Sequence, residues 1–210
     1  MKVMLVGATG LVGGHVLQQL LEDPRCDGVV APTRRPLDVA DPALHTPVVD
    51  FERLPLEPDW WAVDAVICAL GSTIRQAGSR EVFARIDHDY PLQVAAQARA
   101  RGAHVFVLNS AKGADAGSRI FYNQVKGRLE QDLRALGYPS LTLVRPGLIG
   151  GERSERRTGE YLASLVLGAL GPVLPRAWRI NPAERIAAAM VEAALQPRPG
   201  VHVIGSAELG

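Results

Sequence analysis

Apolar residues along the chain fall into two kinds of pattern. Short, nearly continuous apolar or β-branched runs cover residues 2–6, 28–32, 47–50, 65–70, 104–109, 140–145 and 201–204. Between most of them, over 11–22, 90–101, 120–136, 159–170 and 182–195, apolar residues recur at helical spacing instead. The first helix places Val12, Val16 and Leu20 on one side and stops at Asp23-Pro24. Continuous apolar strands alternating with helices predict βαβ units, in which a parallel sheet is buried on both faces. The expected fold is α/β and doubly wound, with about seven strands and helices on both faces. Residues 150–181 form the least regular stretch, where Arg153, Arg156, Arg157, Arg176 and Arg179 surround an apolar helix. Placed after the sixth strand, this stretch is read as a small C-terminal substrate cap. A solvated excursion carrying a packing helix is the alternative reading.

Composition narrows the picture modestly. With 210 residues the chain is expected to form one domain, and 47% apolar against 21% charged residues suits a globular protein. A net charge of +1 gives no general attraction to nucleic acid or anionic lipid, and neither a basic stripe nor a nucleic-acid reader motif is found. Trp60 and Trp61 read as packing residues rather than a base-stacking platform. Cys26 and Cys68 lack metal-ligand spacing, and His15, His45, His88, His104 and His202 are scattered, so no metal is expected. Two isolated cysteines and no secretory leader point to a reduced, cytoplasmic setting. No apolar run approaches the roughly 20 residues that span a bilayer, so no membrane partner is expected.

The first strand leads directly into Gly7-Ala8-Thr9-Gly10-Leu11-Val12-Gly13, which opens the first helix. In this context Gly7 can take the strand-to-helix turn, Gly10 lets backbone approach a pyrophosphate, and Gly13 lets the helix press on the sheet. The helix N-terminus adds free amide donors and a positive dipole end. These are the features of a Rossmann-type dinucleotide site, with residues 7–12 as phosphate contacts. Nicotinamide adenine dinucleotide sites usually carry an acid about 20 residues past the glycines. Here the second strand ends in Thr33-Arg34-Arg35, and two guanidiniums suit a 2′-phosphate, which favours NADP(H) over NAD(H). An ordinary solvated arginine pair near Asp38 is the alternative. Asp50-Phe51 would meet the adenine, and Ala69-Leu70-Gly71-Ser72 would pass beside the ribose and nicotinamide.

Ser110 ends the fifth strand, and Tyr122 and Lys126 follow at i,i+4 on a helix, hence on one face. Carbonyl reduction needs a proton donor at the carbonyl oxygen, and a tyrosine serves if its phenolate is stabilised. Lys126 would supply that electrostatically and could also hold the nicotinamide ribose, while Ser110 would orient the substrate oxygen. A core-edge tyrosine with a solvated lysine is the bland reading of the same spacing.

The order of these motifs resembles the short-chain dehydrogenase/reductase superfamily in its atypical branch, over nearly the whole chain. More narrowly, Ala69-Leu70-Gly71-Ser72-Thr73, Arg85-Ile86-Asp87-His88-Asp89-Tyr90, Ser110-Ala111-Lys112-Gly113-Ala114-Asp115, Tyr122-Asn123-Gln124-Val125-Lys126-Gly127 and Arg145-Pro146-Gly147 resemble the Tat-interactive-protein oxidoreductase-like group. The resemblance implies catalytic positions at Ser110, Tyr122 and Lys126, with Lys126 also a cofactor contact. It further implies that Pro146-Gly147-Leu148 line the nicotinamide carboxamide. Asp87 stands where many superfamily members carry an asparagine. The function expected is an NADP(H)-dependent oxidoreductase acting on a small carbonyl or alcohol, and the cap arginines suit an anionic one. Two other readings share the residues: an NADPH-binding sensor acting through a protein partner, and an epimerase or dehydratase that retains its cofactor. Flat helical faces are compatible with a homodimer.

Overall fold

The computed structural model describes residues 1–150 and 180–210. Strand β1 (Lys2–Val6) shows how the core divides: Val3 and Leu5 go to one side of the sheet, Met4 and Val6 to the other, and all four are fully buried. The remaining strands are β2 (Gly28–Val30), β3 (Leu44–His45), β4 (Ala65–Cys68), β5 (Val105–Asn109), β6 (Ser140–Arg145), the short pair β7 (Ile149–Gly150) and β8 (Asn181–Pro182), and β9 (Gly200–Gly205). Seven of them form one sheet in the order β3-β2-β1-β4-β5-β6-β9, with every pairing parallel. The doubly wound fold expected from the sequence is therefore present. The strand order reverses at β1 and β4, and in such sheets ligands sit beyond the carboxyl ends at that switch point.

Helices α1 (Leu11–Glu22) and α6 (Ala183–Leu195) cover one face through Val12, Val16, Leu20, Ile186, Met190 and Ala194. Helices α4 (Tyr90–Ala100) and α5 (Phe121–Ala135) cover the other through Val94, Ala98, Leu129 and Leu133. Two short helices, α2 (Ile74–Ala77) and α3 (Arg80–Ala84), precede α4 and were not expected. Each is started by a hydroxyl cap: Thr73 Oγ1 accepts from the Gln76 N–H, and Ser79 Oγ from the Val82 N–H.

Two boundaries differ from expectation for identifiable reasons. The third strand lies at Leu44–His45 rather than 47–50, where only a bridge between Thr33 and Val48 continues the ladder. Ala31 donates to His45 and Thr33 to Pro47, so the next donor back toward Ala31 would be the nitrogen of Pro47, which has no hydrogen. The ladder breaks there. The helix expected to start at 90 runs back instead through a π turn, Arg85–Asp89, into α3. Pro91 cannot donate to the Asp87 carbonyl four residues back and would crowd it; the wider turn relieves both problems without ending the helix.

The helix expected at 159–170 and the cap arginines Arg153, Arg156, Arg157, Arg176 and Arg179 lie outside the described residues. The two ends of that segment do meet: Ile149 and Gly150 pair with Asn181 and Pro182. Among the described residues no helix is long and apolar enough to cross a membrane.

Candidate active site

The glycine loop is tied to its shape by space. Gly7 has φ +94°, and a Cβ there would lie 2.7 Å from the Ala69 carbonyl carbon and the Leu70 nitrogen. A Cβ on Gly13 would fall 2.0 Å from the Gly7 carbonyl oxygen, so only glycine allows α1 to start this close to β1. Helix α1 has Gly10 as its N-cap, no side-chain cap bond and no acidic residue in its first turn. Among the described residues its first amides are therefore without a side-chain cap, at the carboxyl edge of the sheet. Ala8 and Val12 are buried beneath the loop, Leu11 is half-buried, and Thr9 and Gly10 are exposed.

Beyond the carboxyl ends lies a cleft of about 280 Å³, lined by Arg34, Phe51, Leu70, Gly71, Ser72, Gln76, Ile86 and Tyr90. Phe51 is buried and its ring leans on Tyr90, 5.7 Å between centroids. The Tyr90 hydroxyl donates to Glu52 at 2.6 Å. Burial and this carboxylate push its pKa up to about 12. Arg34 reaches the cleft. Arg35 is exposed next to it, and its carbonyl accepts the Thr33 hydroxyl at 2.7 Å. Asp50 is exposed, and its carboxylate accepts the Glu52 N–H at 2.9 Å. Ala69 continues β4 by donating to Val6 and leads into the cleft residues Leu70, Gly71 and Ser72.

Helix α5 carries Tyr122, Lys126 and Glu130 at successive i,i+4 positions, a polar stripe on a helix whose neighbouring stripe, Val125, Leu129 and Leu133, is core. The Tyr122 ring packs against Phe83 from α3 at 5.7 Å. Lys126 is buried, and its ammonium lies 2.8 Å from Asp87 Oδ1, the two side chains being 4% and 1% exposed. Asp87 Oδ2 accepts from the Ser72 N–H at 2.8 Å and the Ser72 hydroxyl at 3.0 Å. Burial by itself would pull the Lys126 pKa down, but the charge of Asp87, helped by Tyr122, outweighs it and holds the pKa above its ordinary value.

One turn further on, Glu130 is the residue that sequence reasoning missed. It is buried, accepts the Ser110 hydroxyl at 2.6 Å, and receives both arms of the Arg145 guanidinium. That pairing raises the Arg145 pKa. The Ser110 hydroxyl has one proton, and it is given to Glu130, so as the site stands Ser110 offers a neighbour only its lone pairs. The signal that could have found Glu130 is its i+4 spacing from Lys126, which puts an acid on the sheet-facing side of the helix. Pro146 is buried and accepts the Lys112 N–H at 2.8 Å, tying the end of β6 to the loop after β5. Gly147 donates to the buried Asn181 side chain at 2.7 Å, and Leu148 is exposed at the rim. Among the described residues no group of three or more His, Cys, Asp or Glu side chains is placed to hold a metal ion.

The chain is 35% identical over 220 residues to the mitochondrial protein fmp52 of Aspergillus fumigatus, covering 99% of this chain and 93% of that protein. It is 35% identical over 206 residues to protein HTATIP2 of Rattus norvegicus, covering 95% of this chain and 83% of that one. The chain belongs to the fmp52 and HTATIP2 family. Its Rossmann-like α/β fold is the one that the motifs implied. No family model matches the sequence. Among solved structures, MoeE5 in complex with UDP-glucose and NAD has a TM-score of 0.74 at 18% identity, over 98% of this chain and 76% of that one. A short-chain dehydrogenase/reductase superfamily protein from Agrobacterium tumefaciens with bound NAD has a TM-score of 0.71 at 14% identity, over 98% and 77%. At such identities these neighbours speak for the fold. The fungal relatives also correct the expected cytoplasmic setting: the fmp52 proteins are named as mitochondrial, and two isolated cysteines do not separate one reducing compartment from another.

Proposed function

We propose that this fmp52/HTATIP2 family member is an NADP(H)-dependent oxidoreductase that interconverts a carbonyl and an alcohol on a small molecule. The observation that carries the reading is the α5 stripe: a tyrosine one turn from a buried, charged lysine, beside the cleft at the switch point of the sheet. Residues 7–12 would hold the pyrophosphate, Phe51 with Asp50 the adenine side, and Leu70 to Ser72 and Pro146 to Leu148 the nicotinamide half. Arg34, with Arg35 behind it, suits a 2′-phosphate, because a guanidinium at the adenine end of the cleft meets a dianion bidentately and no carboxylate among the cleft-lining residues competes for it. When bound, the dinucleotide supplies or takes up the hydride.

The chain's own groups handle the proton. Tyr122 delivers its hydroxyl proton to the carbonyl oxygen as negative charge develops there, and recovers it in the reverse direction. The Lys126 ammonium stabilises the phenolate that remains. Ser110, donating its hydroxyl hydrogen bond to Glu130, holds the end of β5 against α5 and the Arg145 end of β6, which keeps the Pro146-Gly147 backbone in place.

Calorimetry with NADPH, NADP, NADH and NAD on the native chain and on Arg34→Ala/Arg35→Ala tests the cofactor. Tight binding of the phosphorylated pair that falls at least tenfold in the variant is the expected result. Equal binding of all four would overturn the NADP(H) preference. Turnover of a carbonyl panel with NADPH, lost in Tyr122→Phe while NADPH binding persists, is the expected outcome for the chemistry. Full turnover in that variant removes Tyr122 from it.

A further inference from the structure

We infer that Asp87 is a positioning residue, a counter-ion that holds Lys126 as a fixed ammonium beside Tyr122 and couples that charge to the loop after β4 through Ser72. The inference concerns the state of Lys126 itself; only its catalytic consequence rests on the oxidoreductase reading.

The geometry divides one carboxylate between two jobs. Oδ1 faces the Lys126 ammonium at 2.8 Å, while Oδ2 accepts both the N–H and the hydroxyl of Ser72. Bulk solvent does not do either job, because the two side chains are 1% and 4% exposed. The charged and titratable groups that face Lys126 are Asp87 from the π turn, Tyr122 from α5 and Cys68 from the end of β4. Burial pushes the Cys68 thiol up to about 11, so it carries no charge near neutrality. Asp87 is then the negative charge that balances the lysine. An asparagine of the same shape could still accept from Ser72 with its oxygen, but its amide nitrogen would be turned toward the ammonium, a donor against a donor. The carboxylate therefore does something the amide cannot.

The loop is part of the device. A Cβ added to Gly71 would lie 3.2 Å from Asp87 Oδ1 and 3.6 Å from the Lys126 nitrogen. The backbone of the cleft wall thus passes directly over the ion pair, and a ligand lying along Gly71 and Ser72 rests on a wall fastened to the same carboxylate that sets the lysine. The π turn is what brings Asp87 here, since its extra residue per turn rotates the side chain relative to a regular helix running from Arg80.

The test uses the full chain and needs no substrate. Only Lys2, Lys112 and Lys126 are lysines, so ε-13C-lysine NMR gives three resolvable signals, with Lys126→Arg identifying the one of interest. In the native chain the Lys126 signal is expected to titrate above the ordinary lysine midpoint of about 10.4. In Asp87→Asn its midpoint is expected to fall by about one to three pH units, the size of an opposite charge's effect at contact. A midpoint unmoved by Asp87→Asn overturns the inference. If that variant does not fold, a native Lys126 that titrates below about 10.4 overturns it equally. Where carbonyl reduction is measurable, the alkaline limb of its pH profile moves to lower pH in Asp87→Asn, because the lysine then loses its charge earlier. A rate loss with an unchanged profile would assign Asp87 to shape alone. A lysine that behaves as stated in a chain without reductase activity supports the ion-pair role and sinks the enzymatic reading; turnover with an unmoved lysine does the reverse.

Discussion

Helices α1 and α6 cover their face of the sheet with aliphatic side chains, and among the described residues no charged group is buried beneath them. The charge on that side sits at the rim, where Arg25 joins Asp23 at the end of α1 to Glu192 on α6. Helices α4 and α5 build an equally apolar layer from Val94, Ala98, Leu129 and Leu133, yet Asp87, Lys126 and Glu130 are buried within the same layer toward its carboxyl edge. One face is arranged for cohesion. The other gives up some of that cohesion to hold charges at chosen points, which is what the proposed activity would require of it.

Lys126→Met should break this contrast most strongly. It leaves Asp87 buried without its counter-ion and should cost about 3–5 kcal/mol in urea unfolding. Asp87→Met/Lys126→Met should recover most of that, because it turns the charged face into a copy of the apolar one; a double variant as unstable as the single would show that the pair is not the cause. On the other face Leu20→Ala, in a side chain 1% exposed, should cost about 3 kcal/mol with cofactor affinity little changed. A smaller effect is expected from Tyr138→Phe, which removes the hydroxyl donated to Ala95 at 2.6 Å and should cost about 1 kcal/mol. The smallest concerns the rim. Arg25, by side-chain and backbone hydrogen bonds, lowers the Asp23 pKa from 3.8 to about 2, so its contribution is present above pH 3.8 and fades as pH falls toward 2. Asp23→Asn should therefore lower stability slightly at neutral pH, with the difference from the native chain shrinking between pH 3.8 and 2, and a difference that persists unchanged below pH 2 would show a structural role instead.

What was legible in the sequence follows the same division. The apolar strands, the glycine loop and helix α1 depend on local patterns, so they were readable residue by residue, as was the i,i+4 pairing of Tyr122 with Lys126. Less local features were not. The π turn before Pro91 shows as a helix start when read locally, because a proline near a helix beginning is common and a proline tolerated by a wider turn is rare. Pro47 broke a ladder whose register depends on a partner strand. Glu130 has no local signal of its pairing, because its partners Arg145, at the end of β6, and Ser110, just after β5, are distant in the chain.

The position of β1 has a consequence for how the molecule comes into being. It comes first in chain order among the strands of the sheet, yet it lies inside it, between β2 and β4. On one side β4, β5, β6 and β9 follow outward in chain order; on the other, β2 and then β3. Each new strand therefore meets an edge that already exists, and the sheet can grow by accretion as the chain lengthens. Because Val3 pairs with Ala65 and Val6 with Cys68, one apolar edge of β1 stays open until β4 has left the ribosome. The interval between the emergence of β1 and that of β4 is thus the one in which a nascent copy most needs protection from its neighbours.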